Sequence, residues 1–185
     1  MKIFISADIE GVCGVFHTRQ TGENSSEYER AKKLLTEEVN AAIEGALEAG
    51  AEEILVNDSH GSMRNIILED LNPAARLISG FPKPLVMMEG IDNSFDGALL
   101  IGYHAMSRTR GILAHTINGF TFHSIKMNGV AYGETEINAA LAAHFHVPVI
   151  MASGDDYLGE EISDFSHGLN LLRSKKQEVR NRQTA

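Results

Sequence analysis

This chain predicts an α/β fold with a mainly parallel sheet, flanked by helices and carrying a β-hairpin insertion. Three observations lead there. Short apolar runs at residues 2–7 (KIFISA), 53–56 (EILV) and 98–101 (ALLI) each lead into polar residues or glycine. A long stretch of helical periodicity separates the first two runs. The third is apolar on both alternations, which a strand tolerates only when both its faces are covered.

The elements follow in order. The run at 2–7 is bounded by acid and glycine, as a buried strand should be. Over 26–49, apolar residues fall at Ala31, Leu34, Leu35, Val39, Ala42, Ile43, Ala46 and Leu47, one stripe of a 3.6-residue period, and Gly50 stands where a C-terminal cap belongs. The second strand, 53–56, runs into Asn57-Asp58-Ser59-His60-Gly61, and a helix between two such strands makes a right-handed βαβ unit. Pro73, Pro82 and Pro84 punctuate the middle, leaving 76–79 and 85–88 as short strand candidates. The strand at 98–101 ends at Gly102-Tyr103-His104. Residues 112–117 (ILAHTI) and 122–127 (FHSIKM) read as strands, and Asn128-Gly129 is the tight-turn signal that closes a hairpin. Helical spacing returns over 134–145 through Ile137, Ala140, Leu141 and Phe145, followed by an apolar strand at 148–152. From 163 to 185 the chain turns basic, with Arg173, Lys175, Lys176, Arg180 and Arg182. This divides it into a domain at 1–162 and a divergent tail at 163–185, helical or disordered.

With 185 residues, 43% of them hydrophobic, the chain can bury one sizeable core. A formal net charge of -9 repels phosphate backbones and no basic stripe is interleaved with aromatics, which argues against nucleic acid as a partner. The single cysteine, Cys13, excludes an internal disulfide framework and a thiolate zinc site. Asp8 interrupts the first apolar run, and no run approaches the roughly 20 residues of a membrane span. A cytoplasmic protein with no membrane partner is the expectation.

The chemistry is concentrated just past the apolar runs. Asp8 and Glu10 follow the first, His60 the second, His104 the third, and Glu134 opens the later helix. Parallel strands deliver their carboxyl ends to one edge, so these residues can converge. Asp8 and Glu10, two apart, fall on one side of an extended chain. Imidazole suits zinc, while carboxylates also suit magnesium and manganese; the mixture favours a first-row metal, zinc above the others. A catalytic zinc usually takes three protein ligands, so five candidates suit two ions sharing a carboxylate, with Asp8 as the natural bridge. Two ions about 3.5 to 4 Å apart hold a hydroxide and polarise a carbonyl or phosphoryl oxygen, a route to hydrolysis without a serine or cysteine nucleophile. Glu136 competes with Glu134 for the metal role. His115 can carry a proton or brace a tetrahedral intermediate, or serve the apolar strand around it. Asp58 is a candidate to orient His60. His17, His123, His144, His146 and His167 read as surface, packing or interface residues, and Cys13 as a small packed apolar side chain.

Several blocks then resemble a known family. Ser6-Ala7-Asp8-Ile9-Glu10-Gly11 matches the SxDxEG signature of the DppA-like D-aminopeptidases. Val56-Asn57-Asp58-Ser59-His60, Gly102-Tyr103-His104-Ala105, Ala114-His115-Thr116 and Gly133-Glu134 follow in the same order as that family's blocks, the resemblance reaching to about residue 156. It implies an aminopeptidase with two zinc ions per subunit, held by Asp8, Glu10, His60, His104 and Glu134 with Asp8 bridging, which selects Glu134 over Glu136. The family's histidine matching His115 is assigned to catalysis as a nucleophile; physical chemistry favours a general base or oxyanion stabiliser. The resemblance also implies removal of N-terminal D-residues such as D-alanine from short peptides, and a ring-shaped homodecamer. Family members continue beyond the Asp155-Asp156 segment, so 163–185 is expected to mark a truncated or divergent end. The alternatives are a metal-stabilised oligomeric module with reduced or no activity, or another dinuclear hydrolase such as a phosphoesterase.

Overall fold

The computed structural model describes residues 1–23, 25–163 and 170–175. In chain order the elements are β1 (Lys2–Ala7), α1 (Ser26–Glu48), β2 (Glu53–Asp58), β3 (Ala75–Ile78), β4 (Gly97–Ile101), β5 (Ile125–Met127), β6 (Val130–Tyr132), α2 (Glu134–His144), β7 (Val149–Asp155), α3 (Asp156–Ser163) and β8 (Asn170–Lys175). Six strands form one sheet in the order β3-β2-β1-β4-β7-β8, every neighbouring pair parallel. The expected fold class therefore holds, hairpin included: β5 and β6 pair antiparallel across Asn128-Gly129, both in the left-handed region that this turn requires.

Register brings the site together. Ala7, at the end of β1, is level with Asp58 of β2 and Ile101 of β4. The next residues of all three strands leave the sheet at one edge. Two glycines let the exits of β1 and β4 cross: a Cβ on Gly11 would lie 1.8 Å from the Tyr103 carbonyl oxygen, and one on Gly102 2.1 Å from that of Asp8. Backbone thus approaches backbone where no side chain fits.

Helices cover both faces, as the doubly apolar β4 demanded. α1 starts at Ser25, whose hydroxyl accepts from the Glu27 amide, and carries Glu27 and Glu29 in its first turn, where the helix dipole favours acid. It buries Ala31, Leu35, Val39, Ile43 and Ala46 against Ile3, Ile5, Val56, Leu99 and Ile101. Leu35, Val39 and Ile43, fully buried, each contribute about 1.5 to 3 kcal/mol. On the opposite face Ala142 of α2 and Leu158 and Ile162 of α3 pack with Phe4, Ala98 and Leu100.

Several expected elements differ. Residues 85–88 are not a strand: Val86–Met88 form a 3-10 turn entered through Val86 at φ +50. Residues 112–117 are irregular, because their amides go to acids rather than to a neighbouring strand. Ile112 N donates to Asp155 Oδ2 at 2.6 Å and Ile117 N to Glu134 Oε1 at 2.6 Å, with Leu113 and Ile117 at positive φ. Of 122–127 only Ile125–Met127 pairs. The expected helical or disordered tail is corrected in part: Asn170–Lys175 form β8, which extends the sheet beside β7, while 164–169 and 176–185 lie outside the described residues.

Candidate metal centre

Asp8, Glu10, His60, His104 and Glu134 do converge. Asp8, Glu10, His104 and Glu134 are all buried. His60 Nδ1 stands 2.9 Å from Glu10 Oε2 and 3.2 Å from Asp8 Oδ1. His104 Nε2 stands 3.6 Å from Asp8 Oδ2 and 3.4 Å from Glu134 Oε1. The two oxygens of Asp8 thus face different imidazoles. His115 lies at the margin, its ring stacked on that of His104 with centroids 4.1 Å apart, and its Nε2 3.7 Å from Glu134 Oε1.

Each ring is fixed through its other nitrogen. His60 Nε2 is 2.8 Å from the Thr21 carbonyl oxygen, His104 Nδ1 2.9 Å from that of Ala105, and His115 Nδ1 3.0 Å from that of Leu113. A carbonyl only accepts, so each of these nitrogens carries the proton, and in the neutral ring the other nitrogen presents its lone pair to the acids. Metal-binding histidines are oriented this way. A divalent cation fits the donor set on a second ground. Glu10 Oε2 and His104 Nε2 are buried without a hydrogen-bond partner, and buried polar atoms are rarely left so. Ligand atoms of Asp8, Glu10 and His104 lie within 4.8 Å of one another, as do those of His104, His115 and Glu134.

The electrostatics describe the same need for positive charge. Burial, with Glu10 nearby, pushes the Asp8 carboxyl up to about 6. Burial opposes ionisation of Glu10 too, yet the His60 charge holds it well below the usual carboxylate range. His104 is raised to about 10 against the pull of burial, chiefly by Glu134, and His60 is raised well above its ordinary value chiefly by Glu10. Three acids crowded out of water keep protons on their imidazoles, a charge that a cation can supply instead.

The surroundings explain the motif residues. Ser6 Oγ bonds to Ser59 Oγ (2.7 Å), to the Tyr103 hydroxyl (2.7 Å) and to the Met87 carbonyl (2.6 Å), a buried polar layer beneath the acids. Asp58 does not touch the His60 ring, contrary to expectation. It accepts from the Ile66 amide (2.7 Å) and from Asn65 Nδ2 (2.7 Å), and the same Asn65 amide group donates to the His60 carbonyl at 2.6 Å. Its influence on His60 therefore runs through Asn65. Glu136 caps the start of α2 by accepting from Gly133 N and stands beside Glu161, leaving Glu134 to the cluster. His17, His123, His144 and His146 are exposed; His167 lies outside the described residues. Cys13 is exposed, not packed as expected.

Sequence reasoning missed the Thr21 carbonyl, which has no residue-type signal, and Ser174 and Lys175, which donate to carbonyls of the loop after Glu10. The basic stretch that contains those two drew attention only as a tail. An apolar groove of about 600 Å³ lies beside α1, lined by Ala42, Ala46, Leu99 and Met151 and by none of the clustered acids.

A parallel α/β sheet whose strand ends gather buried carboxylates and carbonyl-anchored imidazoles defines a class of protein: one with a candidate cation site at the carboxyl edge of its sheet. The particular family follows from comparison. The chain belongs to the D-aminopeptidase family of M55 peptidases, whose model matches residues 1–183, past the point near 156 where the motif blocks end. A D-aminopeptidase from Bacillus subtilis (strain 168) is 40% identical over 164 residues, which is 89% of this chain and 60% of that protein. A solved structure, the Zn-dependent D-aminopeptidase DppA from Bacillus subtilis, described as a self-compartmentalizing protease, superposes with a TM-score of 0.94 at 37% identity, covering 97% of this chain and 65% of that one. The chain thus spans 60% and 65% of these two relatives. No helix among the described residues is long and apolar enough to cross a membrane.

Proposed function

We propose that this chain is a zinc-dependent aminopeptidase that removes N-terminal D-amino acids, such as D-alanine, from short peptides and amides. The observation that carries the reading is the cluster itself: three buried carboxylates facing two imidazoles, each imidazole anchored by a backbone carbonyl, on a chain of the D-aminopeptidase family. In this reading Asp8, Glu10 and His60 hold one zinc ion, and Asp8, His104 and Glu134 a second. His104 has only one free ring nitrogen and cannot serve both, whereas Asp8 offers one oxygen to each side. When bound, the ions supply Lewis acidity, polarising the scissile carbonyl and lowering the pKa of water to about 7.

The remaining steps belong to side chains. His115, a quarter exposed where the acids are buried, keeps its Nδ1 proton on Leu113 and has Nε2 free. It takes the proton of the attacking water as the new C–O bond forms, and returns it to the leaving amine as the C–N bond breaks. Its stacking on His104 fixes the ring for that exchange. The acid cluster and the single cysteine fit a cytoplasmic enzyme, and the self-compartmentalizing relative supports a homo-oligomer, a decamer by family resemblance, acting on short D-amino-acid-containing peptides. The family match favours neither a phosphoesterase nor an inactive metal-stabilised module.

Hydrolysis of D- and L-alanyl amides, assayed side by side with and without chelator while particle mass is recorded, tests this. Zinc-dependent cleavage selective for the D-form is expected. Zinc uptake with no cleavage of either amide would overturn the peptidase reading and leave the module.

A further inference from the structure

We infer that Ser174 and Lys175, at the end of β8, are positioning residues that clamp the loop carrying Asp8 and Glu10. The inference rests on the metal reading proposed above. Lys175 Nζ donates to the carbonyls of Glu10 and Val15, and Ser174 Oγ to that of Gly11. All three acceptors belong to buried residues, and no backbone amide among the described residues is paired with them. Buried carbonyls need donors, so β8 supplies what the loop lacks.

The clamp acts on the metal cluster because of where it grips. Both peptide groups that flank the Glu10 Cα are held: the one before it through the Ile9 carbonyl, which accepts from Val12 N at 3.2 Å, and the one after it twice, with Gly11 N donating to the Gly102 carbonyl at 2.7 Å on the β4 side and the Lys175 ammonium holding the Glu10 carbonyl on the β8 side. Fixing the peptide groups on either side of that Cα fixes the direction of its Cα–Cβ bond, and with it the carboxylate whose Oε2 stands 2.9 Å from His60 Nδ1. A flexible lysine stem suits this span: it carries its donors past the edge of β7 to two carbonyls five residues apart. Ser174 and Lys175 therefore take part in the centre rather than trailing from it.

The test uses the whole 185-residue chain. Lys175→Met keeps the stem and removes the donors, Lys175→Arg keeps donors, and Ser174→Ala removes the second contact. Zinc affinity is read by competition with a chromophoric chelator, site geometry by the absorption of the cobalt-substituted protein, and loop order by amide exchange at residues 11–15 of the metal-free protein. Lys175→Met is expected to bind zinc about tenfold more weakly, as outer partners of ligands do when removed. It should also alter the cobalt spectrum and speed exchange in the loop, with Lys175→Arg restoring most of each. Ser174→Ala, the milder change, carries the same readouts should Lys175→Met not fold. Parental affinity, spectrum and exchange in the variants would overturn the clamp while leaving the metal reading standing. An Arg variant no better than Met would overturn it as well, since packing alone would then explain the loss. A parent chain that takes up no zinc overturns the metal reading, and exchange in the metal-free protein still decides whether the clamp exists.

Discussion

Gly11→Ala puts the crossing of β1 and β4 under direct strain. The new Cβ would lie 1.8 Å from the Tyr103 carbonyl oxygen and 2.5 Å from the Gly102 carbonyl carbon, both backbone atoms with no rotamer to retreat into. Ordinary contact begins at 3.4 Å, so the strand exits must part by about 1.6 Å. Overpacking of that kind costs about 1 to 3 kcal/mol. Parting also breaks the 2.7 Å bond from Gly11 N to the Gly102 carbonyl, adding about 0.5 to 1.5 kcal/mol. A total of about 2 to 4 kcal/mol corresponds to a fall in Tm of roughly 5 to 15 °C for a domain of this size. The separation further moves Asp8 away from His104, which stand 3.6 Å apart, whereas metal distances tolerate only about 0.2 Å. Zinc binding should therefore weaken at least about tenfold, beyond any loss of stability. Calorimetry of the metal-free protein and zinc competition measure the two effects separately. A Gly11→Ala protein that melts with the parent and binds zinc as tightly would refute the argument that these exits are held at backbone contact.

The remaining predictions are independent of that crossing. Gly45→Ala, on the exposed side of α1 with nothing within 4 Å of the new methyl group, should stabilise by about 1 kcal/mol and leave zinc affinity unchanged; a lower Tm would count against the α1 assignment. Burial and the neighbouring Glu136 push the Glu161 carboxyl up to about 8 from its ordinary 4.5. Between those values the folded protein keeps a proton that the unfolded chain has released, so this contribution is complete below 4.5 and is lost as pH rises through 8. Glu161→Gln should flatten the decline of Tm between those pH values, and an unchanged slope would show the pair does not titrate as described. His115→Ala should lose peptidase activity by about a hundredfold or more while retaining its zinc, and an active variant with full metal content would remove His115 from the chemistry.

Helical and strand periodicity made the scaffold legible. β4 is apolar enough to announce burial on both faces, β1, β2 and β7 could be read as short apolar runs, and α1 from its stripe and from Gly50. The segments misread as strands were those whose backbone is governed by side chains distant in sequence. Residues 112–117 are apolar and β-branched, yet Asp155 and Glu134 capture their amides and turn His115 onto His104. Nothing in the local sequence records that capture. β8 was missed for the opposite reason, since its basic residues look like a solvated tail until Lys175 is seen reaching the carbonyls of Glu10 and Val15.

For the site itself, residue type and placement after apolar runs, together with the family motifs, singled out Asp8, Glu10, His60, His104 and Glu134. Identity of side chain and period of the pattern are properties of the chain alone, and a parallel sheet turns them into convergence. The tertiary structure decided which nitrogen of each imidazole faces the acids, that the two oxygens of Asp8 look in different directions, that Asp58 works through Asn65, and that Ser174 and Lys175 hold the loop. Those choices depend on carbonyls and amides that every residue possesses. Only the folded geometry distinguishes one such group from another.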